Sequence, residues 1–250
     1  MIPLDDRGLL LGDGLFETLL ATDGRLVEAP AHLDRLAAGC AALGLPAPEA
    51  GEAEALMVRA LAEAGLTRGR AAVRLTYTAG SGGRGLERPA ALSPRLLATA
   101  AASKVPTTPA RLMVSTVARN AGSPASRLKT LSYLDNVLAR REALAAGADE
   151  AVMLNGAGEV ACAAAANLFW VRGGQVFTPA LACGVLEGIV RRQVMAAVPV
   201  IEVAAGVEVL RAAQAVFLTN SLIGVRAAAS LDGQPLAGSD LVAEIARAVR

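Results

Sequence analysis

Apolar and polar positions alternate in some stretches of the chain and follow helical spacing in others. Alternation predicts strands at residues 15–21 and 71–78, whereas apolar positions three and four residues apart predict helices at 30–43 and 134–146. Asp-Gly and Gly-Gly dipeptides mark turns between these segments. Regular βαβ units of ~30 residues do not recur. The mixed order therefore favours an α+β fold over a doubly wound sheet.

The same pattern divides the chain into two domains. The other predicted strands lie at residues 96–101, 112–115, 151–154, 167–172, 176–177 and 215–219, and the other predicted helices at 52–64, from about 188 onward, at 207–213 and at 241–249. Two prolines flank two threonines after Lys104, which is typical of a connector. We therefore predict a small α/β domain at 1–103, a connector at 104–110 and a larger mixed-sheet domain at 111–250.

Composition narrows the possible classes of function. Hydrophobic residues make up 54% of the 250 positions and charged residues 19%, so the chain is expected to form a core. The formal net charge is +1, which favours neither nucleic acid nor a membrane surface as a partner. Three cysteines and one histidine are too few for a disulfide framework or a metal site. Without a signal pattern or a long apolar run, a cytoplasmic protein is expected.

Lysine is rare in this chain and therefore informative. Only Lys104 and Lys129 occur, against 22 arginines. Arginine replaces lysine easily on a surface, but a guanidinium stays protonated and cannot act as an amine nucleophile. Lys129 lies four residues before Tyr133, where a helix is predicted to begin. In an apolar pocket it could form a Schiff base, although a solvated lysine at a helix start is the alternative.

Three other segments carry groups that would suit a ligand. Residues 188–191 begin a predicted helix, whose N–H groups favour an anion such as phosphate. Residues 219–221, Thr-Asn-Ser, end a predicted buried strand, and a glycine-rich loop surrounds Arg84. Each segment is equally compatible with a plain helix end or turn. The loop is not a dinucleotide fingerprint, because neither a clear helix nor a correctly spaced acidic residue follows it.

Five short motifs occur in the order and spacing of a known family. They are residues 12–18 (GDGLFET), 32–36 (HLDRL), the Lys129 segment, 166–170 (ANLFW) and 188–191 (GIVR). With them the chain resembles the fold-type IV pyridoxal-phosphate enzymes, which include D-amino-acid and branched-chain aminotransferases and 4-amino-4-deoxychorismate lyases. The resemblance spans residues 6–233. It implies a two-domain α+β fold like that of D-amino-acid aminotransferase, pyridoxal 5'-phosphate as cofactor, and a homodimer.

The resemblance also implies roles for the matching residues. Lys129 would hold the cofactor as an imine and move a proton, and Arg35 would bind the phosphate. The substrate, a small-molecule amine, would meet Thr18, Arg84 and Asn220. The remaining cofactor contacts would be Tyr133 at the ring oxygen, Leu186 at a ring face, and Ile189, Val190, Asn220 and Ser221 around the phosphate.

The chain departs from the family pattern at two cofactor positions. Cys162 stands where relatives carry a glutamate that pairs with the pyridine nitrogen, so the ring would be a weaker electron sink. Glu159 precedes it by three residues, which is the opposite face of a regular strand unless the register slips. Val190 replaces a phosphate-side threonine and removes one hydroxyl contact.

Details of the motifs favour the lyase within the family. They are Thr18 after Phe16-Glu17, the loop at 81–85 and the strand end at 219–225. The leading interpretation is a lyase that converts 4-amino-4-deoxychorismate to 4-aminobenzoate and pyruvate, because aromatisation tolerates a weaker electron sink. The alternatives are an aminotransferase for D- or branched-chain amino acids or amines, and a cofactor-binding protein that has lost catalysis.

Overall fold

The computed structural model describes residues 2–82 and 85–249, and the chain divides into two compact units. Unit 1 comprises Met1–Lys104 and Leu128–Ser132, and unit 2 comprises Val105–Arg127 and Tyr133–Arg250. The boundaries predicted above place residues 128–132 in the larger domain, whereas the structure groups them with unit 1. No helix in the described ranges is long and apolar enough to cross a membrane.

Unit 1 is built on an antiparallel sheet in the order β2-β1-β3-β4. Its elements are α1 (Arg7–Leu11), β1 (Gly14–Thr22), β2 (Arg25–Leu26), α2 (Ala29–Leu43), α3 (Ala50–Glu63), β3 (Arg70–Thr78) and β4 (Arg95–Ala102). Asp23 and Gly24 have φ angles of 49° and 77°. The tight turn between β1 and β2 requires this left-handed pair, which is why Asp-Gly predicts it.

The core of unit 1 lies between the sheet and the helices α2 and α3. Alternate residues of β1 and β3, such as Leu19 and Leu75, pack with Leu36 of α2 and Met57 of α3. Each such side chain, when fully buried, contributes roughly 1.5–3 kcal/mol to the free energy of folding. The period-two and helical patterns in the sequence correspond to these buried faces.

The Lys129 segment extends the edge of β1. The Phe16 N–H donates to the Lys129 carbonyl at 2.9 Å, and the Leu131 N–H donates to the Gly14 carbonyl at 3.0 Å. Leu15 and Thr130 form an antiparallel bridge between these bonds. Backbone pairing to β1 therefore makes residues 128–132 part of unit 1, although they are distant from it in sequence.

Unit 2 contains a mixed sheet of nine strands in the described part of the chain. They are β5 (Ala110–Val114), β6 (Glu150–Leu154), β7 (Val160–Ala163), β8 (Asn167–Arg172), β9 (Gln175–Pro179), β10 (Val200–Val203), β11 (Ala215–Asn220), β12 (Gly224–Leu231) and β13 (Gln234–Pro235). The order is β10-β9-β8-β11-β12-β5-β6-β7, with β13 paired to β12. The helices are α4 (Leu134–Ala145), α5 (Ile189–Ala197), α6 (Glu208–Arg211) and α7 (Asp240–Ala248).

The two faces of this sheet bury different side chains. Phe169 of β8 and Phe217 of β11 stack with ring centroids 4.9 Å apart, in a cluster with α5 and α7. Their neighbours Leu168 and Leu218 lie in a separate cluster on the other face, with α6. Because side chains alternate along a strand, Asn167 at the start of β8 and Thr219 at the end of β11 lie on the face that packs against α5.

Several elements were not predicted from the sequence pattern. The strands β7 and β12 are rich in alanine, which has a low preference for strands and gives no clear alternation. The strand β10 has four residues and the helix α1 five, so neither is long enough to show a period. Tertiary pairing, rather than local preference, forms these elements.

Candidate active site

Lys129 is held against an aromatic ring in unit 1. It is half-buried, and its Nζ lies 4.3 Å from the centroid of the Phe16 ring. The guanidinium carbon of Arg74 lies 3.8 Å from the same centroid. Such cation–π contacts orient the side chains that make them. Lys104 is exposed at the end of unit 1, so the two lysines have different surroundings.

Arg35 is fixed by a buried carboxylate. Its Nε and Nη2 donate to the two oxygens of Glu17 at 2.8 and 2.6 Å, the planar fork that arginine and carboxylate favour. His32 Nδ1 lies 2.7 Å from Oε2 of the same carboxylate. Glu17 comes from β1, and His32 and Arg35, three residues apart, share one face of α2. The phosphate role of Arg35 stays a prediction, and its support by Glu17 was not predicted from the sequence.

The Glu17 carboxylate stays charged despite its burial. Its side chain is 1% exposed, and burial by itself raises the pKa. Hydrogen bonds from Arg35 and His32 outweigh this effect and hold the pKa of Glu17 below its usual value. Glu17 is therefore ionised at neutral pH and holds the Arg35 guanidinium in one orientation.

Three other predicted residues lie in different places. Thr18 is half-buried on β1, opposite Arg74 of β3. Tyr133 is half-buried at the N-cap position of α4, in unit 2. Arg84 lies outside the described residues. The roles that the resemblance implies for these three residues stay predictions.

The N-terminus of α5 in unit 2 has the character of an anion site. Its N-cap residue, Gly188, makes no side-chain cap, and the first turn contains no acidic residue. Asn167 Nδ2 donates to the Leu186 carbonyl at 2.8 Å, which holds the segment before α5 against the start of β8. A Cβ on Gly188 would lie 2.0 Å from Asn167 Oδ1, so a side chain there would displace the Asn167 carboxamide. The N–H groups of Ile189 and Val190 thus begin a helix that favours an anion.

Thr219 places a buried hydroxyl on the same side of the sheet. The residue is 1% exposed, and its Oγ1 has no hydrogen-bond partner within the described ranges. Thr219 pairs across the sheet with Asn167, whose carboxamide abuts Gly188. A buried hydroxyl without a partner is costly, so the site is suited to a ligand that supplies an acceptor.

Asn220 uses its side chain to hold its own turn. Its Oδ1 accepts from the N–H groups of Leu222 and Ile223, both at 2.9 Å, and its Nδ2 donates to the Ala165 carbonyl at 2.9 Å. Ser221, the next residue, is half-buried in the same turn. The structure therefore gives Asn220 a clear structural task, and the binding roles of both residues stay predictions.

Cys162 lies beside a β-bulge in β7. It pairs with Met153, but Val160 pairs with Leu154, so Ala161 is an extra residue in β7. This is the register slip that the prediction for Glu159 allowed, because with one extra residue in β7 Glu159 and Cys162 share a face. Glu159 nevertheless accepts from Asn155 Nδ2 at 2.7 Å and from Cys183 Sγ at 3.7 Å, which hold its carboxylate at those groups.

Arg119 is a buried cation in the same unit. Its Nε donates to the Gly184 carbonyl at 3.0 Å, its Nη1 to Asn136 Oδ1 at 3.1 Å, and its Nη2 to the Ser126 carbonyl. All three acceptors are neutral. No carboxylate of the described residues forms an ion pair with this guanidinium.

Several polar residues in the two candidate regions, one region in each unit, were not predicted from the sequence. They are Glu17, Arg119, Asn136, Asn167 and Thr219. Two signals were present: Glu17 and Asn167 occur inside the quoted motifs, and Thr219 occurs in the polar segment at 219–221. Nothing in the local pattern marks Arg119 as buried.

Comparison with known proteins agrees with this architecture. The Amino-transferase class IV family model matches residues 14–231. A Methanocaldococcus jannaschii protein named for branched-chain-amino-acid aminotransferase activity is 30% identical over 250 residues, covering 92% of this chain and 82% of its own length. The aminodeoxychorismate lyase of Bacillus subtilis strain 168 is 28% identical over 228 residues, covering 88% and 78%.

Solved structures show the same fold. A Legionella pneumophila protein named for 4-amino-4-deoxychorismate lyase activity matches with a TM-score of 0.91 and 27% identity, covering 98% of this chain and 92% of the other. The branched-chain aminotransferase of the thermophilic archaeon Thermoproteus uzoniensis, solved with norvaline, matches with a TM-score of 0.91 and 25% identity, covering 100% and 88%.

The fold and site define an enzyme of fold type IV, either a lyase or an aminotransferase, and the predicted α+β fold class is confirmed. The chain belongs to the class IV aminotransferase family. At this level the family assignment drawn from the motifs is also confirmed. The family contains both activities, so membership does not choose between them.

Proposed function

We propose that the chain is a pyridoxal-phosphate-dependent lyase that converts 4-amino-4-deoxychorismate to 4-aminobenzoate and pyruvate. The observation that carries this choice is the buried thiol of Cys162, at the position where the resemblance to fold-type IV enzymes implies a carboxylate paired with the pyridine nitrogen. Without a carboxylate the ring withdraws electrons less strongly. An elimination that creates an aromatic ring tolerates this loss better than a transamination does.

The residues of unit 2 fit the cofactor's phosphate. The uncapped start of α5 offers the N–H groups of Ile189 and Val190, and Thr219 offers a buried hydroxyl that lacks a partner among the described residues. Together they supply donors and a favourable helix dipole for an anion. Thr219 thereby compensates for the hydroxyl that Val190 lacks. Arg35, held by Glu17, is a further proposed phosphate ligand.

The chain's own residues then divide the work of the reaction. Pyridoxal phosphate, when bound, supplies an aldehyde that takes up amines and a ring that accepts electrons. Lys129 would hold the cofactor's aldehyde through its amine, would yield that position to the substrate amine, and would take it back as the amine of 4-aminobenzoate leaves. Between these two exchanges its free amine removes the proton from the substrate's amine-bearing carbon. The bond to the enolpyruvyl oxygen breaks, the ring becomes aromatic, and the released enolate takes up a proton to become pyruvate.

The contribution of Thr219 can be tested by replacing it with valine. We expect Thr219→Val to weaken binding of pyridoxal phosphate on the order of 10- to 100-fold, because a hydrogen bond to a charged group contributes about 1.5–3 kcal/mol. Fluorescence titration of the apo-protein measures this affinity. The free energy of unfolding of the apo-protein is expected to stay the same or rise, because no bond within the described chain is lost.

Thr178 provides the matched control. It is fully buried, and its hydroxyl donates to the Leu168 carbonyl at 2.8 Å. Thr178→Val is expected to lower the stability of the apo-protein by about 1 kcal/mol and to leave cofactor affinity unchanged. Equal cofactor affinities in wild type and Thr219→Val would remove Thr219 from the phosphate site.

Two assays on one preparation separate lyase from aminotransferase. We expect 4-aminobenzoate and pyruvate to form in equal amounts from 4-amino-4-deoxychorismate, without a keto acid. The matched reaction offers D-alanine, D-glutamate or branched-chain amino acids with a keto-acid acceptor and measures the new amino acid. A turnover number higher for transamination than for 4-aminobenzoate release would overturn the lyase proposal. The similarity to the M. jannaschii protein named for branched-chain-amino-acid aminotransferase activity favours this second candidate.

A further inference from the structure

No described carboxylate forms an ion pair with the buried Arg119 guanidinium; Glu159 lines the same pocket, but its carboxylate accepts from Asn155 and Cys183. Arg119 is 8% exposed, and its three side-chain hydrogen bonds go to two carbonyls and one amide oxygen. A buried guanidinium is usually paired, because an uncompensated charge in a low-dielectric interior is costly. Its positive charge is therefore available to act on a group that the protein binds.

Asn136 connects Arg119 to the strand of Cys162. Its Oδ1 accepts from Arg119, and its Nδ2 donates to the Ala164 carbonyl at 2.8 Å. Ala164 lies two residues after Cys162, and both pack in one cluster with Cys183, the residue that precedes the Gly184 carbonyl. The Arg119 guanidinium and the Cys162 thiol are thus linked through Asn136 and the packing around Ala164.

Two charged residues act on the Cys162 thiol. Burial raises its pKa, Arg119 opposes this increase, and the carboxylate of Glu150 adds to it more weakly. Glu150 is itself paired with Arg140 at 2.9 Å, which reduces its influence. The thiol is therefore neutral, and the buried charge that Asn136 links to the segment after Cys162 is positive.

We propose that Arg119 is the positioning residue that keeps the pyridine nitrogen of the bound cofactor unprotonated. This inference rests on the proposed function, because the resemblance to fold-type IV enzymes places residue 162 beside that nitrogen. A nearby positive charge disfavours a second cation such as pyridinium, and a neutral thiol offers no compensation. At position 162, where the resemblance implies a carboxylate, this chain has the neutral Cys162, and the cation beyond it is Arg119. The site therefore selects reactions that do not depend on a protonated ring.

The protonation state can be measured directly with ¹⁵N-labelled pyridoxal phosphate. We expect the nitrogen resonance of the wild-type holoenzyme at neutral pH to have the chemical shift of an unprotonated pyridine. Cys162→Glu is expected to move it to the shift of a pyridinium, because a carboxylate favours the charged ring. Cys162→Gln, of nearly the same volume but uncharged, is the matched control and should stay unprotonated. A pyridinium shift in the wild type would overturn the proposal.

Stability of the full-length apo-protein provides a second readout that does not depend on the cofactor. If the Arg119 charge reaches residue 162, a carboxylate introduced there gains an ionic partner. The folding equilibrium constant of Cys162→Glu should then exceed that of Cys162→Gln by about tenfold or more. A less stable Cys162→Glu would show that the charge is directed elsewhere, and the proposal would be wrong.

The same samples distinguish the two proposals. Borohydride should attach the cofactor to Lys129 in the wild type, which tests the proposed function by mass spectrometry of the peptide. A cofactor attached to Lys129 with a protonated nitrogen would overturn the role of Arg119 alone. Absence of attachment would overturn the proposed function, and the inference with it.

Discussion

Replacement of Lys129 by alanine is expected to remove the visible absorbance of the bound cofactor and to lower activity ~10³-fold or more. The amine of Lys129 is the group proposed to bind the cofactor covalently and to move the proton. Its Nζ lies 4.3 Å from the centroid of the Phe16 ring, a contact that orients the side chain. Absorbance spectra, borohydride trapping and the 4-aminobenzoate assay measure the loss.

Two variants control for charge and for general lysine effects. Lys129→Arg keeps the positive charge and the contact with Phe16, but it cannot form the covalent bond and should be equally inactive. Lys104→Ala removes the exposed lysine and should retain wild-type colour and activity. A coloured and active Lys129→Ala protein would exclude the proposed function, whereas a colourless wild type would favour a chain that has lost catalysis.

Glu17→Ala is expected to cost about 3–5 kcal/mol of the free energy of unfolding. Breaking a buried ion pair by removing one partner leaves the other charge uncompensated, and here both Arg35 and His32 lose their shared carboxylate. The variant should also bind pyridoxal phosphate more weakly, because Arg35 is no longer held in one orientation. Denaturant unfolding and a cofactor titration measure the two effects.

The exposed pair Arg59–Glu63 is the matched comparison. Its atoms are 3.6 Å apart and its side chains are 65% and 72% exposed. Glu63→Ala is expected to change the free energy of unfolding by no more than about 0.5 kcal/mol, because water screens the pair. If Glu17→Ala changed the free energy of unfolding as little as Glu63→Ala does, the buried Glu17–Arg35–His32 cluster would not be a major source of stability in unit 1.

Much of the local structure could be predicted because it depends on neighbours in sequence. The helix predicted at 30–43 is α2, and the strands at 15–21 and 71–78 are β1 and β3. In each case one buried face repeats with the period of its element. The motifs that identified the family are likewise short segments, readable without knowledge of distant contacts.

The site depended more strongly on contacts that bring distant segments together. Spacing from Asn167 identified Cys162 as the unusual residue. It could not show the extra residue at Ala161, because a β-bulge arises from how β7 pairs with β6. Nor could it show that the Thr219 hydroxyl lacks a partner among the described residues, since a missing hydrogen bond is a property of everything around the atom.

The sequence by itself therefore determined the family, and it predicted the reactive lysine and the position that lacks the usual acid. The tertiary structure alone decided that the Lys129 segment pairs with β1, that Glu17 fixes Arg35, and that a buried arginine is linked through Asn136 to the segment after Cys162. The physical reason is the separation in sequence between the residues that interact. Periodicity and motifs record interactions over a few residues, whereas Arg119 meets Asn136 and Gly184 across 17 and 65 positions of chain, and its electrostatic role follows only from that assembly.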